Sequence, residues 1–136
     1  MRILAFDLGK ESAYNFQDED ININLSDSWT FTDLLDLRDK IDHAIKILLP
    51  IDVILVPYPT HYYSVIVKHA KMIGVIEMIA EDYNIPVFEV NDARCKKIVL
   101  KNGKAKKEEI MEYYKEKNEH IADCRMFIDW YLQESC

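Results

Sequence analysis

The order of the apolar segments along the chain is the feature that most limits its fold. Strand-like apolar runs occur over residues 2–6, 11–16, 20–25, 52–56 and 86–90. Helical spacing of apolar residues predicts helices over 34–48, 62–83, 91–100, 106–117 and 121–133. We expect an acidic turn at 17–20 between the second and third strands, and Thr30 or Thr32 as the cap of the first helix. Three consecutive strands followed by strand–helix crossovers predict an α/β fold, with a mixed five-stranded sheet flanked by helices.

A carboxylate directly follows the first strand. In this topology the strands over 2–6 and 52–56 become neighbours, and their C-terminal ends open onto one cleft. Asp7 therefore stands at the mouth of that cleft. An aspartate at the end of a buried strand is costly unless a charged or polar partner meets it. Asp7 is thus either a turn or helix-cap residue or a metal ligand.

The last predicted helix begins with two more potential ligands. His120 and Asp123 are three residues apart, so both project from one face of the helix. Together with another carboxylate they suit magnesium or manganese. The structural alternative is a surface histidine followed by an acid that is favourable in the first turn of a helix.

The charge of the chain is unevenly distributed. The net charge of −7 alone argues against nucleic-acid binding. Residues 94–107, however, contain no acid and a dense group of basic residues: Arg94, Lys96, Lys97, Lys101, Lys104, Lys106 and Lys107. This segment is either a local phosphate-binding surface or a solvated lysine-rich loop.

Several segments, taken in order, resemble the RuvC-type Holliday junction resolvases of the RNase H-like superfamily. They are FDLGK at 6–10, IPVFEV at 85–90, ARCKKIVLKNGKAKKEE at 93–109 and HIAD at 120–123. The match covers the ends and the C-terminal half, whereas residues 17–60 are weakly constrained. The resemblance implies one RNase H-like nuclease domain over 1–136. It also implies a homodimer that cleaves four-way or branched DNA junctions by metal-dependent phosphodiester hydrolysis.

The resemblance also implies roles for individual residues. Asp7, His120 and Asp123 would hold divalent ions, Mg²⁺ or Mn²⁺, two per site. Lys107, in the G-x-A-x-K segment, would contact DNA or support catalysis. Further DNA contacts are expected from Lys96, Lys97, Lys101 and Lys104, and from Tyr58 and Tyr62. The two tyrosines follow the strand over 52–56, where they either stack on unpaired bases or pack at a helix start.

One acid of the family pattern is missing. The family usually has a glutamate at or just after the strand that here spans 52–56, but no acid lies between Asp52 and Glu77. Asp52 is expected at the wrong end of the strand, and Glu77 far along the next helix. Glu11 and Asp129 are weaker substitutes. The chain is either an active nuclease with fewer protein ligands, which we favour, or a junction-binding dimer with impaired catalysis.

Other classes fit less well. An RNase H-like nuclease acting on RNA stays an alternative, although the G-x-A-x-K segment favours the resolvase interpretation. ATP-using relatives that begin with a strand and D-x-G need two such domains, and 136 residues are too few. No run of 18 apolar residues occurs, so no membrane-spanning helix is predicted. We therefore expect a cytoplasmic protein of prokaryotic or viral (phage) origin.

Overall fold

Five strands form one mixed sheet in the spatial order β3-β2-β1-β4-β5. The structure is a computed structural model that describes residues 1–58 and 63–135. The strands are β1 (Arg2–Asp7), β2 (Glu11–Asp18), β3 (Ile23–Thr30), β4 (Val53–Pro57) and β5 (Val87–Val90). The helices are α1 (Leu34–Leu48), α2 (Tyr63–Asp82), α3 (Asp92–Val99), α4 (Lys107–Tyr114) and α5 (Glu119–Ser135). The predicted mixed five-stranded α/β fold is confirmed.

The pairing of the strands determines which chain segments meet. β1 pairs antiparallel with β2, and β2 antiparallel with β3. On its other side β1 pairs parallel with β4, and β4 parallel with β5. The three parallel strands therefore end at the same edge of the sheet, at Asp7, Pro57 and Val90. Side chains at and just after these three positions are brought close together.

Helices cover both faces of the sheet, and the alternation of β1 assigns its residues to the two faces. Leu4 and Phe6 are buried in a cluster with α1 and α2. Ile3 and Ala5 are buried in a second cluster with α3, α4 and α5. Asp7 continues the second set, so its carboxylate lies on the α5 face. None of the helices in the described residues is both long and apolar enough to cross a membrane.

The region before α1 differs from the sequence prediction. The predicted turn at 17–20 is wrong, because β2 continues to Asp18, whose buried carboxylate pairs with Arg2 at 2.9 Å. The chain turns two residues later than predicted, in a short 3-10 helix over Glu19–Ile21. β3 is accordingly longer and later than predicted. It is an edge strand with mostly exposed polar residues, so its apolar pattern is weak.

The predicted cap of α1 is also corrected. Neither Thr30 nor Thr32 caps the helix. Asp33 does, because its carboxylate accepts a hydrogen bond of 2.8 Å from the backbone N–H of Asp36. Aspartate is among the preferred N-cap residues, since it satisfies an otherwise unpaired N–H of the first turn.

Candidate active site

A cavity of about 350 Å³ opens at the edge where the parallel strands end. The carboxyl ends of β1 and β4 form one side of it, and the first turns of α3 and α5 form another. Its lining residues are Asp7, Leu8, Pro57, Tyr58, His69, Asp92, Lys107, Glu119, His120, Asp123 and Phe127. The predicted set Asp7, His120, Asp123 and Lys107 is thus brought together, although these residues are far apart in sequence.

Asp7 and His120 are in direct contact. Nδ1 of His120 lies 2.8 Å from Oδ2 of Asp7, and the side chains of His120 and Asp7 are 24% and 14% exposed. The hydrogen bond with Asp7 raises the pKa of His120, against the opposing effect of burial. Burial raises the pKa of Asp7, against the opposing hydrogen bond with His120. Both shifts favour a proton bound between these two atoms, which ties β1 to the first turn of α5.

Asp123 lies one helical turn beyond His120 and adds a second carboxylate to the cavity. Burial raises its pKa to about 8, and repulsion from the charges of Asp7 and Asp92 adds to the shift. A carboxyl group with this pKa holds its proton near neutral pH unless a cation compensates its charge. The positive charge around the cavity is therefore too small to balance its carboxylates when they are ionised.

Asp92 supplies a further carboxylate, which was not among the acids predicted from the sequence. It is the first residue of α3, two residues after the end of β5, and it lines the same cavity. Asn91 caps this helix by accepting a hydrogen bond of 3.1 Å from the N–H of Arg94. Nζ of Lys96 lies 2.8 Å from Oδ2 of Asp92.

The signal for Asp92 was present in the sequence. The family pattern predicts an acid at the end of the strand over 52–56, where Pro57 lines the cavity without offering a carboxylate. Parallel strands end at one edge, so the residues after β5 reach the same cavity as those after β4. An acid directly after β5 was therefore an equally good candidate.

Four acids could replace the missing one on sequence grounds: Glu11, Asp52, Glu77 and Asp129. Of these four, Glu11 alone lies near the site. Its Oε2 is 3.8 Å from Nε2 of His120. Asp52 lies at the opposite end of the sheet and accepts a hydrogen bond of 2.7 Å from the N–H of Arg2. Asp129 accepts a hydrogen bond of 2.6 Å from the hydroxyl of Tyr114. Glu77 is exposed on α2 and does not line the cavity.

Lys107 and Glu119 form part of the wall of the cavity. Nζ of Lys107 lies 3.4 Å from Oε2 of Glu119, whose other oxygen is 3.4 Å from Nε2 of His120. The lysine side chain is 65% exposed, so its pairing with Glu119 is weak. Lys107 is thus a cation at the site that a phosphate can recruit.

Some of the residues predicted to contact DNA line the cavity, and others lie outside it. Tyr58 is 54% exposed and lines the cavity, whereas Tyr62 lies outside the described residues. Lys96 forms an ion pair with Asp92. Lys97, Lys101 and Lys104 are exposed, and none of them lines the cavity.

The donor set has the chemistry of a site for a hard divalent cation. Four carboxylates (Asp7, Asp92, Glu119 and Asp123) and two imidazoles (His69 and His120) line the cavity. Burial and the charge of Asp92 raise the pKa of both Asp7 and Asp123. Oxygen ligands suit magnesium and manganese. Within residues 1–58 and 63–135, however, no three His, Cys, Asp or Glu side chains are grouped closely enough to hold a metal ion.

The strand order and the helices on both faces define the class of fold. The chain has the RNase H-like fold of the RuvC-type resolvases. No protein-family model matches the sequence, and no curated protein sequence matches it. The fold is therefore established by structural comparison.

Solved structures similar to this chain include RuvC from a bacterium and a Holliday junction resolvase from a virus. Thermus thermophilus RuvC superposes with a TM-score of 0.76 at 14% identity, over 99% of this chain and 97% of that one. The same organism's RuvC in complex with Holliday junction substrate gives 0.74 at 11% identity, over 98% and 96%. The fowlpox virus resolvase with its substrate Holliday junction DNA gives 0.62 at 17% identity, over 99% of both chains. At these sequence identities the structural likeness establishes the fold alone.

Proposed function

We propose that this chain is a divalent-metal-dependent endonuclease that hydrolyses phosphodiester bonds in four-way or branched DNA. One observation carries the proposal. Asp7, Asp92, Asp123 and His120 converge on one cavity at the sheet edge, in a fold shared with resolvases solved together with junction DNA. We take residues 1–136 as one nuclease domain.

The carboxylates of Asp7, Asp92 and Asp123 would hold the metal. Two Mg²⁺ or Mn²⁺ ions held there would supply an activated water and charge stabilisation for the leaving oxygen of a phosphodiester. Ionisation of Asp7 and Asp123 is unfavourable without a cation, because both pKa values are raised. His120, whose Nδ1 lies 2.8 Å from Oδ2 of Asp7, would be the nitrogen ligand of this set.

The side chains at the wall of the cavity would bind the substrate. Lys107 can leave Glu119 and place its charge against the scissile phosphate. Tyr58, exposed at the same opening, can stack on an unpaired base at the centre of a junction. Lys96, Lys97, Lys101 and Lys104 would contact the backbone around the site.

Asp92 favours an active enzyme over a junction-binding protein with impaired catalysis. Pro57 removes the acid expected at the end of β4, and this observation keeps the binding protein as the second candidate. The carboxylate of Asp92 nevertheless reaches the cavity, from just beyond the end of the neighbouring parallel strand. Asp92 would thus take the place of the acid expected after β4.

The proposal is tested by incubating the purified protein with a labelled four-way DNA junction and Mg²⁺ or Mn²⁺. We expect paired nicks in opposed strands. Asp7→Asn should lower cleavage roughly 100-fold or more, because it removes a metal ligand and charge stabilisation worth several kcal/mol in the transition state. Asp7→Asn should still bind the junction.

Two other outcomes separate the alternatives. Tight junction binding without cleavage at any metal concentration would support the binding protein. An absence of both binding and cleavage would contradict the resolvase interpretation. Preferential cleavage of an RNA-containing substrate of the same shape would favour the RNA nuclease.

A further inference from the structure

A second and larger cavity, of about 710 Å³, adjoins the candidate active site. It lies on the α1 and α2 face of the sheet, between the β1–β2 connection, the segment before α1 and the first half of α2. His69 lines both this cavity and the active-site cavity, so the two spaces meet at α2. A ligand that extends beyond the active site on this face must enter it.

The walls of this cavity are basic, in a chain with a net charge of −7. Lys10 lines it from the β1–β2 connection, three residues after Asp7. Lys68 and Lys71 line it from α2, and their i, i+3 spacing puts both on one face of the helix. We call the space bounded by these three lysines the basic groove.

The lysines of the basic groove are available to a ligand. All three are exposed, and the ion pairs found among the described residues do not involve them. The acid in the lining is Asp33, whose carboxylate already accepts the hydrogen bond from the N–H of Asp36. The first turn of α1 also faces the groove, so its N-terminal partial charge adds to the positive potential there.

The shape of the groove indicates an extended anion. Its volume is about twice that of the active-site cavity, at 710 against 350 Å³. A compact anion is held by buried donors that converge on it, whereas these cations are exposed and come from separate elements. A sugar–phosphate backbone presents a charge at each nucleotide and matches spaced, exposed lysines.

We propose that the basic groove binds the DNA backbone of a junction strand where it leaves the active site. This inference rests on the proposed function and extends it to a surface on the other side of the sheet. The basic segment at 94–107 belongs to α3, α4 and their connection, on the α5 face. The acidic cavity would then be flanked by cations on both sides, and the strand would cross it between them.

The test uses a labelled four-way junction and the Asp7→Asn protein in Mg²⁺, so that binding is measured without cleavage. Lys68→Ala/Lys71→Ala removes two phosphate-binding charges from the groove. We expect its Kd for the junction to rise about 10-fold or more. The plot of log association constant against log salt concentration should become less steep, by roughly 2 in the magnitude of its slope. Lys10→Ala should act in the same direction, with a smaller effect.

The matched control is Lys46→Ala/Lys117→Ala. These two exposed lysines lie outside both cavities, and their removal changes the net charge equally. The control should bind the junction within about 2-fold of the parent, which is the Asp7→Asn protein without lysine substitutions. All variants should melt at the same temperature, because the substituted side chains are on the surface.

The outcomes distinguish failure of the groove from failure of the proposed function. If the parent binds the junction and the groove variant binds as tightly as the control, the groove proposal is wrong and the proposed function stands. If the parent binds neither junction nor duplex DNA, both proposals are overturned. If the control loses as much affinity as the groove variant, the effect belongs to net charge and the groove is not a specific surface.

Discussion

At the scale of single residues, the electrostatics of the site are set by acids placed where ionisation is unfavourable. Burial raises the pKa of Asp7 and of Asp123, and the charge of Asp92 adds to both shifts. The free energy that these groups lose on ionising is recovered when a cation binds among them. Affinity for a divalent ion and lower stability of the metal-free protein would thus be two consequences of one arrangement.

The pH dependence of stability follows from these shifts. Between the usual pKa of an aspartate and the value of about 8 for Asp123, the folded protein binds more protons than the unfolded chain. The free energy of unfolding must therefore fall as the pH rises through this window. Because His120 also has a raised pKa, its contribution is likewise present at low pH and is lost as the pH rises.

We therefore expect Asp123→Asn to stabilise the metal-free protein at pH 7 to 8, by about 1–3 kcal/mol. Denaturant unfolding in EDTA at pH 5 and pH 8 measures the effect. The variant should show a flatter pH dependence than the wild type and a smaller stabilisation by Mg²⁺. Equal pH dependence in the two proteins would mean that Asp123 does not ionise unfavourably in the folded state.

At the scale of elements, α5 delivers two of the site residues and is anchored at its start by Asn118. Oδ1 of Asn118 accepts hydrogen bonds from the N–H groups of His120 and Ile121, at 2.9 and 3.1 Å. Nδ2 of the same side chain donates to Oγ of Ser28 at 3.2 Å. One amide thus caps the helix and ties its first turn to the sheet.

Replacing Asn118 should affect both stability and activity. Asn118→Ala removes the cap, and we expect a loss of about 1 kcal/mol in thermal or denaturant unfolding. Cleavage should fall further than stability alone explains, because the first turn carries His120. Asn118→Asp keeps the capping acceptor and should restore most of the stability. Activity unchanged by Asn118→Ala would show that His120 does not depend on this anchor.

The elements also show what the sequence was able to predict. The buried strands β1 and β4, the short strand β5 and the helices were recognised, because runs or periodic patterns of apolar residues define them. β3 and the turn before it were misplaced, since an edge strand with polar residues has a weak pattern and the Arg2–Asp18 pair joins residues far apart in sequence. Asp92 was missed because the expected acid was sought after β4, whereas the site depends on which strands are neighbours.

At the scale of the whole molecule, an acidic chain presents basic residues on both sides of an acidic cavity. The basic segment 94–107 and the lysines of α2 lie on opposite faces of the sheet. Association with DNA should therefore depend steeply on salt despite the net charge of −7.

Cleavage of opposed strands in a junction needs two active sites, so we expect a homodimer. Sedimentation should give a mass of about 32 kDa, twice the 16.0 kDa of one chain. The junction complex should contain two chains. A single chain bound to each junction that is nicked on both strands would contradict this expectation.

The central claim is that Asp92 completes the acid set of a metal-dependent junction nuclease. The most direct measurement compares cleavage of a four-way DNA junction in Mg²⁺ by the wild type, Asp92→Asn and Glu89→Gln, where Glu89 is an exposed acid on β5 outside the cavity. We predict paired nicks by the wild type and by Glu89→Gln, with cleavage by Asp92→Asn lower by roughly 100-fold. Junction affinity should change little in any of the three. Cleavage by Asp92→Asn at the wild-type rate, or no cleavage by the wild type, would contradict the claim.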